Sequence, residues 1–361
     1  MPKPIDTRWL GIMTGTSLDA VDLALVRFQG APGAWQWNWE SASAMPMPAT
    51  LRESLQPAPA LNFREVVQRE KRYTEAIAEC VLRFFENKNI EFKAVEGIGF
   101  HGQTWWHAPE EGLSIQLGDG ARMAVKTGLP VVCDFRRGNL AAGGQGAPLV
   151  PLVDDQLFAS FGACLNLGGI ANLSWREGPQ RKAADLVPCN GLLNTLAARE
   201  GLDCDRDGRL SAGGSIIPGL LDQWNAHPFY QKSAPKSLDQ AFGTNELMAQ
   251  VPAAASTVDA LQTALQHIAY QISRWINRVV PENQQVLVSG GGAHHPGLVT
   301  ALRQQCRPSL HIPDNKTVDF KEALAFAFLG MLRFHGEPNI LASATGARFQ
   351  LSAGALYLPP L

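Results

Sequence analysis

The sequence predicts an α/β protein of two domains with a ligand held between them. Three observations support this: the length of 361 residues exceeds what one ordinary core needs, strands alternate with helices, and a group of short strands followed by a helix occurs twice. Each group also contains a glycine-rich turn at a strand end. Such open turns are typical of α/β proteins that bind small ligands at one edge of a sheet.

The first group begins with three short predicted strands. Trp35, Trp37 and Trp39 alternate along the third strand, and we expect them to pack against the sheet. A helix with apolar residues at helical spacing and three more strands follow. The predicted elements are strands at 8–13, 23–28, 35–39, 95–100, 114–117 and 130–135 and a helix at 63–85.

The second group repeats this order. A long helix at 257–280 has an apolar face and Ser256 as its predicted N-cap, with Asp259 three residues later. The polar, proline-containing segment 225–245 is predicted to be an excursion on the surface. The remaining predicted elements are strands at 163–167, 171–175, 182–186 and 286–289 and helices at 192–199 and 322–334.

The composition argues against several classes of function. With 31 basic and 33 acidic residues the net charge is −2, so the chain has no electrostatic footprint for nucleic acid or an anionic membrane. We find neither the apolar segment of a signal peptide nor a stretch of about 18 apolar residues that would span a membrane. The six scattered cysteines lack a CxxC pair and are expected to be reduced thiols in the cytoplasm. These features favour a small-molecule partner.

The first glycine turn, GIMTGTSLDAVD at 11–22, lies between two predicted strands. Small side chains allow backbone N–H groups to approach a polyphosphate, and the hydroxyl groups add donors. An ordinary hairpin turn is the alternative, and the missing Gly-Lys-Ser/Thr excludes a Walker A loop. Asp19 and Asp22 are candidate Mg²⁺ ligands through water. The candidate nucleotide-binding residues are Gly15, Thr16, Ser17, Leu18, Asp19, Ala20, Val21 and Asp22.

Two further glycine turns follow strands in the second group, within LNLGGIAN and VLVSGGGAH. One such turn is weak support for nucleotide binding, but three at strand ends favour a nucleotide held between the domains. A dinucleotide-binding fold fits poorly, because GGQG at 143–146 lacks the third glycine and Pro148 follows it. The candidate nucleotide-binding residues of these turns are Gly168, Gly169, Gly290, Gly291 and Gly292.

Four polar residues next to predicted elements are further candidates. Asp185, at the end of a strand, is either a general base that faces the ligand or a surface carboxylate. Arg136 follows an apolar strand and either binds an anionic group bidentately or is solvated. Glu322, at the start of an apolar helix, either binds a ligand or only complements the helix dipole. His101 follows the strand at 95–100 and is either a ligand-binding group or a hydrogen-bonded core histidine.

Nine motifs, in order from residue 11 to residue 347, resemble those of the anhydro-N-acetylmuramic acid kinase family. The resemblance therefore covers nearly the whole chain, and AAGGQGAPLVP and EALAFA are long enough to be distinctive. The motifs are GIMTGTSLDAVD (11–22), HGQT (101–104), QLGD (116–119), DFR (134–136), AAGGQGAPLVP (141–151), NLGGIAN (166–172), GGGAH (290–294), EALAFA (322–327) and SATGA (343–347).

The resemblance implies the fold of the actin, sugar-kinase and chaperone ATPases, with two RNase-H-like domains and ATP and Mg²⁺ in the cleft between them. We expect the first domain to span 1–145, with 340–361 returning to it, and the second to span 146–339. The implied reaction opens the 1,6-anhydro bridge of anhydro-N-acetylmuramic acid with water and transfers the γ-phosphoryl group to O6. The product, N-acetylmuramate 6-phosphate, enters the recycling of cell-wall sugar. A cytoplasmic homodimer that contacts neither nucleic acid nor membrane is expected.

The resemblance also implies roles for individual residues. Residues 15–22 would bind the ATP phosphates, and Asp185 would activate water for attack at C1 of the sugar. Arg136 and Glu322 would contact the sugar, and His101 is a third candidate for such a contact.

The chain departs from the family pattern beside the base, where Leu186 and Val187 replace a threonine and a glycine. The segment 236–241 also lacks the usual arginine and glutamate. We expect the apolar neighbours to desolvate Asp185 and raise its pKa. These departures leave two alternatives open: a kinase for a different sugar, and an ATP-binding pseudokinase with a regulatory role.

Overall fold

The computed structural model describes residues 5–15, 18, 20–55, 62–234, 236–238 and 242–360. The chain forms two compact units, one of Met1–Leu157 with Phe320–Leu361 and the other of Phe158–Asp319. Residues 146–157 and 320–339, which the sequence-based division assigned to the second domain, belong to the first of these units. Whether the units fold as separate domains stays a prediction.

The strands and helices follow the predicted alternation, and their bounds define the labels used below. The strands are β1 Ile5–Thr14, β2 Ala20–Gly30, β3 Gln36–Pro46, β4 Gly97–Phe100, β5 Gln103–Ala108, β6 Leu113–Leu117, β7 Val131–Cys133, β8 Ala163–Leu167, β9 Ile170–Glu177, β10 Gln180–Pro188, β11 Gln285–Ser289, β12 Ser309–His311 and β13 Ala355–Tyr357. The helices are α1 Ala49–Ser54, α2 Phe63–Asn87, α3 Gly120–Thr127, α4 Phe135–Ala141, α5 Pro151–Leu157, α6 Asn190–Ala197, α7 Pro218–Asn225, α8 Thr257–Val279, α9 Pro296–Gln305, α10 Asn315–Phe334 and α11 Ala342–Thr345.

The sheet of the first unit has the strand order β13-β7-β4-β1-β2-β3. Strands β1, β2 and β3 form an antiparallel meander, and β4 and β7 continue the sheet parallel to β1. Helix α2 begins with a capping box in which Asn62 and Glu65 exchange side-chain and backbone hydrogen bonds. Its buried face, which includes Tyr73 and Val81, joins the apolar cluster under this sheet.

The sheet of the second unit has the order β10-β9-β8-β11-β12. Strands β8, β9 and β10 are again an antiparallel meander, and β11 and β12 run parallel to β8. Helix α8 buries its apolar face in the core of this unit, and Ser256 caps it by accepting a hydrogen bond from the backbone N–H of Asp259 at 3.1 Å. The predicted N-cap is therefore confirmed.

The two units share one topology, a meander of three strands extended by two parallel strands on the side of its first strand. This repetition is what two RNase-H-like domains require. Helix α10 packs very closely against the first sheet: a Cβ atom on Gly11 would lie 1.7 Å from the carbonyl oxygen of Ala323, and one on Gly99 would lie 1.8 Å from that of Phe326. Only glycine permits such an approach of helix and strand.

Three expectations from the sequence need correction. Strand β5, which pairs with β6 in a two-stranded sheet, was not predicted. Helix α10 begins at Asn315, so Glu322 lies two turns inside the helix and is not a first-turn residue. The segment 225–245 is not simply a surface excursion, because Phe229, Tyr230 and Phe242 are buried in the core of the second unit.

Candidate functional site

In the first unit the topology brings the ends of three parallel strands to one edge of the sheet. Ile12 of β1 is level with Phe100 of β4, and Phe100 is level with Cys133 of β7. The residues that follow these strands therefore lie along the same edge, which is where α/β proteins commonly bind ligands. They include Gly15 after β1, His101 after β4 and Arg136 after β7.

The turn after β1 is compact where the structure describes it. Leu18 is buried at a φ of +54°, and its backbone N–H donates to the carbonyl oxygen of Gly15 at 3.2 Å. Strand β2 begins at Ala20, and the fully buried side chain of Val21 belongs to the core, so these two residues would offer a ligand only backbone groups. The predicted contacts of Thr16, Ser17 and Asp19 lie outside the described residues.

Asp22 is the candidate metal ligand that the structure describes. It is half-buried in β2, opposite Met13 of β1. Its carboxylate is the hard oxygen ligand that Mg²⁺ prefers. In the part of the chain that the structure describes, no group of three or more His, Cys, Asp or Glu residues is arranged to hold a metal ion. A Mg²⁺ site of the usual kind, with one or two carboxylates, water and substrate phosphates, fits this donor set.

The buried His101 and the half-buried Arg136 form a polar pair. The guanidinium of Arg136 donates to Nε2 of His101 at 3.0 Å and to the carbonyl oxygen of Gly146 at 3.0 Å. Since Nε2 accepts, the proton of the neutral imidazole lies on Nδ1, which is buried. Within the described residues Nδ1 has no partner at ordinary hydrogen-bond geometry, although the backbone of Gly102 interacts weakly with the ring. Burial, assisted by the charge of Arg136, lowers the pKa of His101 to about 3. His101 is therefore a neutral donor with an available N–H group.

Glu322 is close enough to this pair to interact electrostatically with Arg136. Burial raises the pKa of Glu322, whereas the charges of Lys321 and Arg136 oppose the shift. The neighbouring Lys321 forms a buried ion pair with Asp154. Of the two readings of Glu322 made from the sequence, a role limited to the helix dipole is excluded by its position inside α10, because the dipole acts within the first turn.

In the second unit the two predicted glycine turns lie side by side. Ser289 at the end of β11 is level with Asn166 of β8, so both turns begin at the same edge of the sheet. Gly290 has a φ of +84°, and a Cβ atom there would lie 2.5 Å from Oδ1 of Asn166 and 2.9 Å from the backbone of Leu167. A side chain at Gly292 would likewise lie 2.7 Å from Leu167. The sequence placed each turn at a strand end, and the structure adds that the two turns are neighbours. Their contact with a nucleotide stays a prediction.

The start of helix α6 supports the Gly168–Gly169 turn. The backbone N–H groups of Cys189 and Gly191 donate to the carbonyl oxygen of Gly169 at 2.8 and 3.0 Å. The N–H of Asn190 donates to the carbonyl oxygen of Gly168, and its side-chain amide donates to Leu167 at 2.9 Å. The turn is therefore held in one conformation by the helix that follows β10.

Asp185 lies on β10 opposite Asn172, at a β-bulge that displaces Leu186 from the pairing register. Its Oδ2 accepts the backbone N–H of Leu238 at 2.9 Å, and its own N–H donates to the carbonyl oxygen of Lys236 at 3.0 Å. Burial raises the pKa of Asp185 to about 6, against the opposing effects of the Leu238 hydrogen bond and the charge of Lys236. The direction agrees with the expected upward shift. The side chain is half-buried and accepts a hydrogen bond from Leu238, and its role as a general base stays a prediction.

Sequence reasoning named Lys236 only as part of the diverged segment 236–241 and missed the aromatic residues around it. The nitrogen of Lys236 lies 4.2 Å from the ring centroid of Phe229 and 4.9 Å from that of Trp275. The lysine was part of a segment interpreted as surface, and Trp275 lies 39 positions further along the chain. The one usable signal was local: aromatic residues at 229 and 230 within a stretch otherwise read as polar.

Two α/β units of one topology, with glycine turns where their parallel strands end, define a protein of the actin, sugar-kinase and chaperone ATPase fold class. The family model described as anhydro-N-acetylmuramic acid kinase matches residues 7–359. The chain belongs to the anhydro-N-acetylmuramic acid kinase family.

Individual relatives agree along the whole length. The chain is 34% identical to an anhydro-N-acetylmuramic acid kinase of Rhodopseudomonas palustris over 97% of this chain and 99% of that protein. It is 35% identical to one of Pseudomonas putida, with the same coverage. Among solved structures, component A of the (R)-2-hydroxyglutaryl-CoA dehydratase of Acidaminococcus fermentans superposes with a TM-score of 0.46 at 12% identity, covering 90% of this chain and 97% of that one. At that level of likeness nothing about ligands or activity follows.

Proposed function

We propose that this protein is an ATP-dependent kinase that hydrolytically opens 1,6-anhydro-N-acetylmuramic acid and phosphorylates O6. The observation that carries the proposal is the family match over residues 7–359. The half-buried carboxylate of Asp185, whose pKa is raised, agrees with it, because the reaction needs a general base. The product, N-acetylmuramate 6-phosphate, would return cell-wall sugar to metabolism.

The proposed reaction balances with one molecule of water and one of ATP. A water oxygen attacks C1, and its proton passes to the Asp185 carboxylate. The C1–O6 bond breaks, and O6 leaves with the electron pair of that bond. O6 then forms a bond to the γ-phosphorus as the bond from γ-phosphorus to the bridging oxygen of ADP breaks. One base therefore serves both bond changes, and the remaining requirement is to stabilise charge on the phosphoryl group.

Asp185 suits the role of base for a physical reason. A carboxylate whose pKa is raised to about 6 is a stronger base than an ordinary aspartate, yet it is mostly ionised at neutral pH. The bulge between Asp185 and Val187 and the hydrogen bond from Leu238 hold the side chain in one orientation. We propose that the water to be activated binds at this carboxylate.

The sugar contacts are proposed for the polar group of the first unit. Arg136 would bind the lactyl carboxylate, because its half-buried guanidinium is held by His101 and Gly146. The N–H at Nδ1 of His101 would donate to a sugar oxygen, and Glu322 would accept from a hydroxyl or amide. These assignments rest on the family resemblance, together with the available Nδ1 of His101 described above.

ATP binding is proposed for the glycine turns. Residues 15–22 would bind the phosphates, and the turns that contain Gly168, Gly169 and Gly290 to Gly292 would bind other parts of the nucleotide. When bound, Mg²⁺ would neutralise phosphate charge, and Asp22 and Asp19 are the residues proposed to hold it through water. Asp19 lies outside the described residues, so the geometric support comes from Asp22 alone.

A homodimer and a cytoplasmic location are also proposed, on the family resemblance. The six cysteines are all free thiols, as expected for a reducing compartment. Among the described residues no helix is long and apolar enough to cross a membrane. Sedimentation equilibrium would test the dimer directly.

A coupled ADP-release assay across a panel of sugars tests the proposed function. The panel contains 1,6-anhydro-N-acetylmuramic acid, its analogue without the lactyl group, N-acetylmuramic acid and N-acetylglucosamine. We expect turnover with the first sugar and a higher KM for the analogue, because Arg136 loses its carboxylate partner. Preference for another sugar would identify a kinase with a different acceptor. ATP binding without turnover on any sugar would identify a pseudokinase.

A further inference from the structure

The ammonium group of Lys236 occupies a box of aromatic rings in the core of the second unit. Its nitrogen lies 4.2 Å from the ring centroid of Phe229, 4.9 Å from that of Trp275 and 6.0 Å from that of Tyr230. It also approaches the carbonyl oxygen of Phe229 at 3.5 Å. Lys236 is only 8% exposed, so the aromatic faces replace most of the water that an ammonium group normally binds.

The box is itself fixed by buried hydrogen bonds. The hydroxyl of Tyr230 lies 2.8 Å from Nε2 of His267, and Nδ1 of His267 lies 2.7 Å from Oδ1 of Asn225. Because an amide oxygen only accepts, Nδ1 carries the imidazole proton and Tyr230 donates to Nε2. Burial lowers the pKa of His267 to about 3, so this arrangement persists at all ordinary pH values. Tyr230 is thereby held against rotation and presents a fixed ring to Lys236.

The segment that carries Lys236 holds Asp185 on two sides. The carbonyl oxygen of Lys236 accepts the backbone N–H of Asp185 at 3.0 Å, and the N–H of Leu238 donates to the Asp185 carboxylate at 2.9 Å. The position of the candidate base therefore depends on the position of residues 236–238. The side chain of Lys236 is the buried anchor of that segment, since Ser237 is exposed and Leu238 is half-buried.

We propose that Lys236 is a positioning residue for the reaction: its caged ammonium group anchors residues 236–238 and so orients the Asp185 carboxylate and favours its ionised form. The proposal rests on the proposed function of Asp185 as the general base. The proposal adds a second requirement for activity: besides the Asp185 carboxylate, the reaction needs a positively charged Lys236 in its aromatic box.

The charge state of Lys236 is set by its surroundings. Burial is the main cause that lowers its pKa, to about 8, with Arg278, Arg274 and Lys232 contributing and Asp185 opposing. Lys236 is therefore mostly protonated at neutral pH and loses its charge as the pH rises through about 8. The positive charge of Lys236 lowers the pKa of Asp185. When Lys236 loses its proton, the pKa of Asp185 therefore rises.

A direct experiment titrates the Asp185 carboxylate by ¹³C NMR in the full chain labelled at the aspartate carboxyl carbon. The resonance is assigned as the one that disappears in Asp185→Asn. In Lys236→Met we expect the pKa of Asp185 to move upward, because a nearby positive charge has been removed. Lys232→Met is the matched control: Lys232 also faces the Phe229 ring, at 5.8 Å, but it is exposed and makes no described bond to Asp185. Its removal should leave the Asp185 titration nearly unchanged.

The same titration of the parent protein provides a test without any change at Lys236. The Asp185 resonance should show a second, smaller inflection near pH 8, where Lys236 loses its proton. If Lys236→Met folds but leaves the Asp185 titration at the parent position, or if the parent shows a single inflection only, the proposal is wrong.

Kinetics separate positioning from a purely structural role. In Lys236→Met we expect kcat to fall by up to roughly 10²-fold, with the acid limb of its pH profile moved to higher pH and KM for ATP little changed. A lowered melting temperature with an unshifted acid limb would show that the box only stabilises the fold. The NMR readout does not depend on turnover, so an inactive parent would contradict the proposed function without deciding the coupling of Lys236 to Asp185.

Discussion

At the scale of single residues, the proton affinity of Asp185 controls the proposed chemistry. Burial raises its pKa, while the Leu238 N–H and the Lys236 charge limit the rise. The balance leaves a carboxylate that is ionised at neutral pH but more basic than an exposed aspartate. The direction of this shift could be predicted from the apolar Leu186 and Val187, which are fully buried. The two contacts that limit the rise in pKa could not be predicted, because residues 236 and 238 are more than 50 positions away from Asp185 in the sequence.

Asp185→Asn is the substitution that tests the base. An asparagine keeps the shape and still accepts the N–H of Leu238, but it cannot take a proton from water. We expect kcat to fall by roughly 10²- to 10⁴-fold while the dissociation constant of ATP, measured by calorimetry, stays within about twofold. Turnover within a few-fold of the parent would mean that another group activates the water.

The pH dependence of kcat gives a second prediction for the same residue. The base acts as the carboxylate, so activity should be fully present above its pKa and should be lost as the pH falls through about 6. His101 does not contribute to this limb, because its lowered pKa keeps it neutral over the whole range. Steady-state rates between pH 5 and pH 9 at saturating substrate provide the measurement. An acid limb near pH 4, the value of an ordinary aspartate, would contradict the account.

At the scale of elements, the glycine turns depend on close packing between strand ends. The alternating strands and the turns that join them could be predicted, since period-two patterns and glycine clusters are local signals. The contact between the turns that follow β8 and β11 could not be predicted. Which strands pair, and in which register, depends on residues far apart in the sequence. Strand β5 was missed for a related reason: its sequence, QTWWHA, does not alternate cleanly and a bulge interrupts its pairing with β6.

Gly290→Ala tests the packing of the turns. The added methyl group would lie 2.5 Å from Oδ1 of Asn166 at a φ of +84°, so the turn must move. We expect weaker ATP binding by calorimetry and a loss of stability, in urea unfolding, greater than the roughly 1–3 kcal/mol that this glycine-specific backbone conformation costs by itself.

Gly178→Ala is the control for an alanine at a positive φ without a steric clash. Gly178 has a φ of +60° at the tip of the β9–β10 hairpin, and a Cβ atom there meets nothing within 4 Å. The Gly178→Ala variant should lose only the unfolding free energy that the backbone strain costs, and its ATP affinity should equal that of the parent. Equal ATP affinity in Gly290→Ala and the parent would show that this turn does not shape the nucleotide site.

At the scale of the whole molecule, one topology occurs twice, and the sequence predicted this repetition because each half has its own meander, helix and glycine turn. The positions in the sequence at which one unit gives way to the other were harder to predict. Residues 320–339 pack with the first unit through contacts such as Ala323 with Gly11, and a close backbone approach of this kind leaves no periodic signal in the helix itself. The acceptor sugar likewise follows from the family match and not from local patterns.

The most direct test of the central claim is an analysis of all products from one reaction with 1,6-anhydro-N-acetylmuramic acid, ATP and Mg²⁺. We predict equimolar ADP and a sugar whose mass, by mass spectrometry, has increased by one water and one phosphoryl group. Its ³¹P resonance should couple to the protons on C6, which places the phosphate on O6. Asp185→Asn should form neither product at a comparable rate. Recovery of the intact anhydro sugar, with ADP formed no faster than in its absence, would contradict the account.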